Sequence, residues 1–277
     1  MGVRITSWNI LHGISIPPRN SPDTAAELAA AVRSLNSDVM GFQEVDHFLP
    51  RSQSRPQIRD IAESVGARNW AMGPSVIGTP GESWRKLNEH EPELITDKSS
   101  HPELMHECYG IGIVSKIAVK SWHRLNLGRS LLGLPLIVPG DETGKGRPRF
   151  IYVKDEPRLA IAAVLENGWT IVNTHLSFVP GLNLRQLRRI KKWALHIAEE
   201  SNTRALVMGD LNLPMNIPTV ASPWKSLVPG NTYPSWGASI KFDYLLAKDL
   251  HPGEFSVMDI SRTGISDHLP IGIQLSN

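Results

Sequence analysis

The stretch "RALVMGDLN", residues 204–212, decides how the chain is read. Ala205 to Met208 form an apolar run of the kind that builds a buried strand, and the run stops at Asp210, with Asn212 two residues on. Taken alone, "GDLN" is also an ordinary tight-turn composition. The same event recurs along the chain, however. "RITSW" stops at Asn9, "VMGFQ" at Glu44 and "TIVNT" at His175. "FDYLL" carries Asp243 on the face opposite Phe242 and Tyr244, and "GISDHLPIGIQL" sets Asp267 and His268 ahead of the last strand. Each residue has a bland reading: Asn9 as a turn former, Glu44 as a surface carboxylate, His175 as a core histidine bonded to backbone. Their conjunction is what carries chemistry.

Burying an ionised carboxylate costs several kcal/mol even after relaxation, so a cluster of them requires a compensating cation. Oxygen ligands from Asp, Glu and Asn suit Mg²⁺, with Mn²⁺ as a substitute, whereas zinc more often takes grouped His or Cys ligands. His175 and His268 arrive separately, each after an oxygen-bearing neighbour, Thr174 or Asp267, and are better placed for phosphate than for metal. Asp267 and His268 cannot enter one site from a regular strand, where neighbours face opposite ways. Pro270 places the strand after them, so "SDH" is expected in the preceding loop.

The totals allow one large α/β domain or two small ones, and because no repeat or linker divides the chain a single domain over residues 1–277 is expected. The chain is long enough, at 277 residues and 41% hydrophobic, for a sizeable core, and its formal charge of +2 falls short of a dedicated nucleic-acid-binding domain. Cys108, the one cysteine, excludes an internal disulfide and a multi-cysteine zinc site and fits a reducing compartment. "MGVRITSWNI" lacks a cationic segment followed by a long apolar stretch, and no run of about eighteen apolar residues occurs. A soluble, cytoplasmic protein is expected, with no stable membrane association and no obligate protein partner.

Strand patterns open at "VRITSW" and return in "DVMGFQEV", "GIGIVSK", "RLAIAAVLE", "WTIVNTHL", "RALVMGD", "FDYLLA", "FSVMDI" and "LPIGIQL". Ser21-Pro22-Asp23 followed by "TAAELAAAVRSL" predicts a helix burying Leu28, Ala31, Val32 and Leu35. A second, short helix spans Pro56 to Val65, and a third runs from about Leu182 to Glu200 with Leu184, Leu187, Ile190 and Leu195 on its buried face. Periodicity fails between Met72 and Glu107, where His90, His101 and His106 accumulate, and between Asn126 and Arg149; both segments are expected to be surface insertions. Many short strands with few helices favour one α/β domain of largely antiparallel sheets.

"SWNI" (7–10), "GFQEVD" (41–46), "EPRLAIAAV" around Arg158, "NTHL" (173–176), "GDLN" (209–212), "FDYLL" and "SDHLPI" (266–271), taken in this order, resemble the endonuclease/exonuclease/phosphatase superfamily of metal-dependent phosphoesterases. The resemblance implies an α/β (α+β) four-layer sandwich, with two mostly antiparallel sheets face to face, helices outside and the active site at one end of the sheets. It implies Glu44 as main metal ligand with Asn9 and Asp267, Asp210 orienting or deprotonating the attacking water, and Asn212 and His175 on the phosphate. His268 would contact the phosphate or assist proton transfer while bonded to Asp243, and Arg158 would support the carboxylates or approach substrate. Glu107 is the one match for a glutamate that pairs with the "NTHL" histidine in some members.

The activity so implied is Mg²⁺-dependent hydrolysis of a phosphodiester, nucleic acid included. The alternative is a phosphatase or phosphodiesterase of a small or lipid-derived ester such as an inositol phosphate. A catalytically silent phosphate-binding scaffold is the remote one. Arg185, Arg188, Arg189, Lys191 and Lys192 form a basic run that could follow a nucleic-acid backbone, though such runs are usually solvated helix faces. Trp70, Trp84 and Trp236 are candidates for base stacking or, more safely, for core packing. His12 is either near the site or a turn residue.

Overall fold

The computed structural model describes residues 2–17, 23–100, 106–138 and 149–276; Ser21, Pro22, His101 and positions 139–148 of the second insertion lie outside them. The chain runs β1 (Arg4–Asn9), α1 (Thr24–Leu35), β2 (Val39–His47), α2 (Gln57–Val65) and β3 (Asn69–Gly78). Short β4 (Trp84–Arg85) and β5 (Ile95–Thr96) precede β6 (Cys108–Ser115), β7 (Val119–Gly128), β8 (Leu134–Val138) and β9 (Arg149–Val153). β10 (Arg158–Leu165), β11 (Trp169–His175), α3 (Leu182–Glu200), β12 (Arg204–Asp210), β13 (Lys225–Ser226), β14 (Asp243–Ala247), β15 (Phe255–Val257) and β16 (Ile271–Leu275) complete it.

Eight strands form one sheet, in order β15-β16-β1-β2-β6-β3-β4 with β5 beside β3, and six form the other, β13-β14-β12-β11-β10-β7. Among the described residues, only β1 with β2 and β11 with β12 pair in parallel. Ile5, Val39, Ile111 and Ile113 of the first sheet meet Leu159, Ile161, Ile171, Leu206, Met208 and Leu245 of the second. Outside, α1 and α2 cover Trp8, Met40 and Phe42, and α3 covers Val172, Val207 and Leu246, which makes the four-layer sandwich. Among the described residues no helix is long and apolar enough to cross a membrane.

Strand parity positions the site. Along β12, Leu206 and Met208 face the other sheet while Val207 faces α3, so Asp210 falls on the inner side at the strand's end. The same count puts His175 of β11 after Ile171 and Asn173, Asp243 of β14 before Leu245, and Asn9 of β1 after Ile5 and Ser7. The core stripe and the polar cluster are therefore one face of the same strands. A polar pin holds the sheets together behind the cluster. Gln43 donates to Asn173 Oδ1 (2.6 Å), and Asn173 Nδ2 donates to the carbonyls of Phe42 (2.9 Å) and Gly112 (2.8 Å). Gly41 permits this approach, because a Cβ there would run into Asn173 and Met208.

Helix α1 buries Leu28, Ala31, Val32 and Leu35, and Asp23 caps it by accepting from Ala26 N (2.9 Å). Three expectations need correction. Residues 72–78 are strand, not insertion: they complete β3, whose pattern Gly73, Pro74 and Ser75 conceal and whose pairing with β6 slips between Pro74 and Val76. Residues 126–128 likewise finish β7, and β8 pairs with β9 as a hairpin. In α3 the buried face is Asn183, Gln186, Leu187, Ile190, Ala194 and Ile197, with Leu184 and Leu195 half-buried, because two amides on this face bond to neighbouring loops.

Candidate active site

His175, Asp210 and Asp243 lie side by side at one end of the six-stranded sheet, because the register pairs His175 with Asp210 and Asp210 with Asp243. Gly209 makes the row compact: its φ is 142°, and a Cβ there would strike the Thr174 carbonyl of the adjacent strand. Facing this row are Asn9, Glu44 and the loop Ser266 to His268. Glu44 occupies a bulge in β2, where two residues fall between the pairs Phe42–Gly112 and Val45–Gly110, with φ 55°. The extra residue keeps Val45 on the helix side while Glu44 turns into the cleft.

Asn9 bridges two carboxylates: Nδ2 donates to Glu44 Oε1 (3.0 Å) and Asp210 Oδ2 (3.1 Å), while Oδ1 accepts from Leu11 N (3.1 Å). This pattern fixes its amide orientation, since only the NH₂ end satisfies two acids. Asp210 Oδ1 accepts from Asn212 N (3.0 Å); its Oδ2 lies 3.5 Å from His175 Nε2 and 3.7 Å from His268 Nε2. Asn212 Nδ2 sits 3.2 Å from His175 Nε2 and donates to the Leu176 carbonyl (3.0 Å).

His268 is fixed from three sides. Its Nδ1 lies 2.8 Å from Asp243 Oδ2, Trp8 Nε1 donates to its carbonyl (3.0 Å), and the Tyr233 ring lies 5.0 Å away. Ser266, at φ 64°, donates to the Asn9 carbonyl (2.7 Å), tying the "SDH" loop to β1. Ser266 to His268 precede β16 and belong to no strand.

Burial and mutual repulsion set the electrostatics. Glu44 is pushed up to about 7 by burial and by Asp267, against its hydrogen bond from Asn9. Asp210 is raised to about 6, first by burial, and Asp267 is raised by burial as well. Burial works against charge on His268, yet Asp243 and Asp210 outweigh it and hold the ring well above its ordinary value. Burial, Arg158 and His268 hold His175 well below. The cluster thus pairs a protonated imidazole with a neutral one.

Arg158 stands at the start of β10, beside the row of His175, Asp210 and Asp243, 3.1 Å from Glu156 and 3.5 Å from Asp155. Glu107 is exposed and gives His175 no partner; the carboxylate near that ring is Asp210. His12 sits in a left-handed turn with φ 42°, its ring pushed down to about 4 by burial and Arg51, and its carbonyl accepts from Gln57. Trp70 is core, Trp84 packs under Arg129, and Trp236 is half-buried. The basic run divides: Lys191 donates to the Pro218 carbonyl and Ser222, Arg189 to the Asn126 carbonyl, while Arg185, Arg188 and Lys192 are solvated. The reading from sequence missed Gln43 and Asn173 as the inter-sheet pin and Asp155 and Glu156 as partners of Arg158. "DEPR" (155–158) carried the only local signal, acids just ahead of an arginine.

A parallel order of motifs along a two-sheet sandwich, closing on one acidic cluster, defines a class of phosphoesterases. The chain belongs to the endonuclease/exonuclease/phosphatase family, whose profile matches residues 6–268, and whose members are hydrolases of phosphate esters. Among solved structures it is similar to an endonuclease/exonuclease/phosphatase from Beutenbergia cavernae, with 18% identity, TM-score 0.57, and 99% of this chain and 72% of that one covered. It also resembles the human Nocturnin catalytic domain with bound sulfate (14%, TM-score 0.60, 99% and 93%) and a mannosyl-6-phosphatase of Bacteroides thetaiotaomicron (12%, TM-score 0.59, 99% and 100%). No curated protein matches it in sequence.

Proposed function

We propose that the chain, a single cytoplasmic domain, hydrolyses a phosphodiester with the help of Mg²⁺, Mn²⁺ serving as a substitute. One observation carries this reading: Asp210 lies within 3.7 Å of His268 and 3.5 Å of His175 while Asn9 ties it to Glu44. The donor set fits a hard cation. Four carboxylates, Glu44, Asp210, Asp243 and Asp267, converge on one protonated imidazole, and Asp243 Oδ1 is buried without a hydrogen-bond partner.

Glu44 and Asp267, half-buried at the cleft, would hold the cation with Asn9 beside them. The ligand atoms of Asp210, Asp243 and His268 also lie within 4.8 Å of one another. We assign that trio to proton handling instead, because the 2.8 Å His268–Asp243 bond already uses their facing atoms. Such a cation, when bound there, would supply positive charge to offset the negative charge developing on the phosphate. Asp210, held by Asn212 N and Asn9, accepts a proton from water at Oδ2. His268 donates from Nε2 to a phosphate or leaving oxygen while Asp243 stabilises its charge. Neutral His175 and the Asn212 amide donate to the phosphate and orient it.

Nucleic acid is one phosphodiester substrate class and a small or lipid-derived ester the other; structural neighbours include a sugar phosphatase and ANGEL2, a 2′,3′-cyclic phosphatase. The test is a screen of bis(p-nitrophenyl) phosphate, plasmid, an abasic oligonucleotide, inositol phosphates and a phosphomonoester with Mg²⁺ and Mn²⁺. Hydrolysis abolished by EDTA is expected; hydrolysis that persists at full rate in EDTA overturns the metal reading. A protein inert to every ester that also binds neither cation would be a silent phosphate-binding scaffold.

A further inference from the structure

Beyond His175 the rank of site residues continues across the sheet to Arg158 on β10 and Gly128 on β7, which are register partners. There the two sheets and the 86–93 loop enclose a cleft of about 380 Å³ that the hydrolytic residues do not use. Lys86, Arg124, Arg129 and Arg158 line it, with Asn88 and Asn126. Of its two acids, Glu89 is 87% exposed and Glu93, 70% exposed, pairs with Arg124 at the rim, whereas Arg158 and Arg124 are only 4% and 9% exposed.

Two of the guanidiniums are incompletely satisfied. Arg124 bonds the Pro74 carbonyl (2.9 Å) and Glu93 (3.2 Å), and Arg129 donates to the Asp155 carbonyl (3.4 Å) and lies 5.5 Å over the Trp84 ring, yet the Nε of each is buried with no hydrogen-bond partner. Arg158 is held by Glu156 (3.1 Å) and, through Nε, by Asp155 (3.5 Å). A buried donor left unpaired costs free energy comparable to a lost hydrogen bond, and two such guanidiniums at one cleft point to a ligand rich in acceptor oxygens. Guanidinium forks match the oxygens of phosphate, and the rigid rows of β7 and β10 present two of them without further ordering.

We propose that this cleft is a second anion subsite, which receives a phosphate group of the substrate other than the one being hydrolysed. The proposal rests on the phosphoesterase reading for its placement beside the scissile group. A strand of nucleic acid would supply that group from a neighbouring nucleotide, and a small molecule from a second phosphate ester; the chemistry recognised is the same. Lys86 and Glu93 belong to the segment between β3 and β6, so part of the subsite is built by a loop on the rigid sheet scaffold.

Two measurements test it. Inorganic phosphate and pyrophosphate are titrated by calorimetry into EDTA-treated protein, a readout independent of turnover. Saturable binding is expected, weakened about tenfold or more in Arg129→Gln and Arg124→Gln and unchanged in Arg188→Gln on the solvated side of α3. Lys86 is exposed and Arg124 is not, so Lys86→Gln, with Arg129→Gln just beyond β7, keeps the test alive if Arg124→Gln unfolds. Selectivity is then measured as the ratio of kcat/KM for p-nitrophenyl thymidine 5′-phosphate with and without a 3′-phosphate, and for an inositol bisphosphate over its monophosphate. Collapse of the first ratio in Arg129→Gln assigns a nucleic-acid source, and collapse of the second a small-molecule source. Absence of phosphate binding in the wild type, or binding equal in all variants, overturns the subsite. An inert enzyme that still binds phosphate through Arg129 would overturn the phosphoesterase reading alone.

Discussion

Two buried acidic regions lie at the same end of the six-stranded sheet and are neutralised differently. At Asp155 and Glu156 the chain brings its own cation: Arg158 pairs with both, and Ser130 N and Ser177 Oγ donate to Asp155 Oδ2 at 2.7 and 2.9 Å. Asp46 behaves likewise, taking a two-pronged bond from Arg51 at 2.7 and 2.8 Å. At Glu44, Asp210, Asp243 and Asp267 no arginine or lysine among the described residues forms an ion pair, and the positive partner in reach is His268, 2.8 Å from Asp243 and 3.7 Å from Asp210. The first arrangement is neutralised from within the chain. The second is under-neutralised, and the raised values of Glu44 and Asp210 express that in the metal-free protein.

Breaking the two regions should give opposite signatures. Asp210→Ala should lower kcat by about 10²–10⁴-fold with the fold intact, seen in steady-state hydrolysis beside an unchanged circular dichroism spectrum. Arg158→Met leaves two buried carboxylates unpaired and should cost about 3–5 kcal/mol in urea unfolding, enough to blur any activity measurement. Glu44→Gln should do the reverse and stabilise the metal-free protein at pH 7 by about 2 kcal/mol, discounted for the partial exposure of Glu44.

The sign follows from linkage. A carboxyl raised from its ordinary value to about 7 binds protons in the folded state that the unfolded chain has released, so stability falls as pH rises from about 4.5 through 7. His268, held high, extends the fall above its ordinary value, and His175, held low, opposes it on the acid side. The difference between wild type and Glu44→Gln removes both histidines from the comparison. Arg51→Met should show the smallest effect, about 1–2 kcal/mol, because its side chain is 23% exposed and water replaces part of what is lost.

The sequence exposed the under-neutralised region better than the neutralised one. Asn9, Glu44, His175, Asp210 and Asp243 each interrupt or end an apolar run; strand parity carries all but Glu44 to the same face as the core, and a bulge in β2 brings Glu44 there. Asp155 and Glu156 precede a strand in an irregular stretch, where no period says which way a side chain turns. Strand β3 was illegible for a related reason: its bulge at Pro74–Val76 destroys the alternation that would announce it. Gln43 and Asn173 read as polar breaks in apolar strands, since only the packing of one sheet on the other reveals that they bond to each other. The arginine-lined cleft joins residues from β7, β10 and the 86–93 loop, and nothing local in the chain announces such a meeting.

The contrast between the regions comes down to whether the under-neutralised one takes up a cation. Thermal unfolding at pH 7, with and without millimolar Mg²⁺, in wild type and Glu44→Gln measures this directly. The metal should raise the Tm of the wild type and release protons as it binds, and should leave Glu44→Gln unmoved. A wild type whose Tm and protonation do not change with Mg²⁺ or Mn²⁺ would contradict the account.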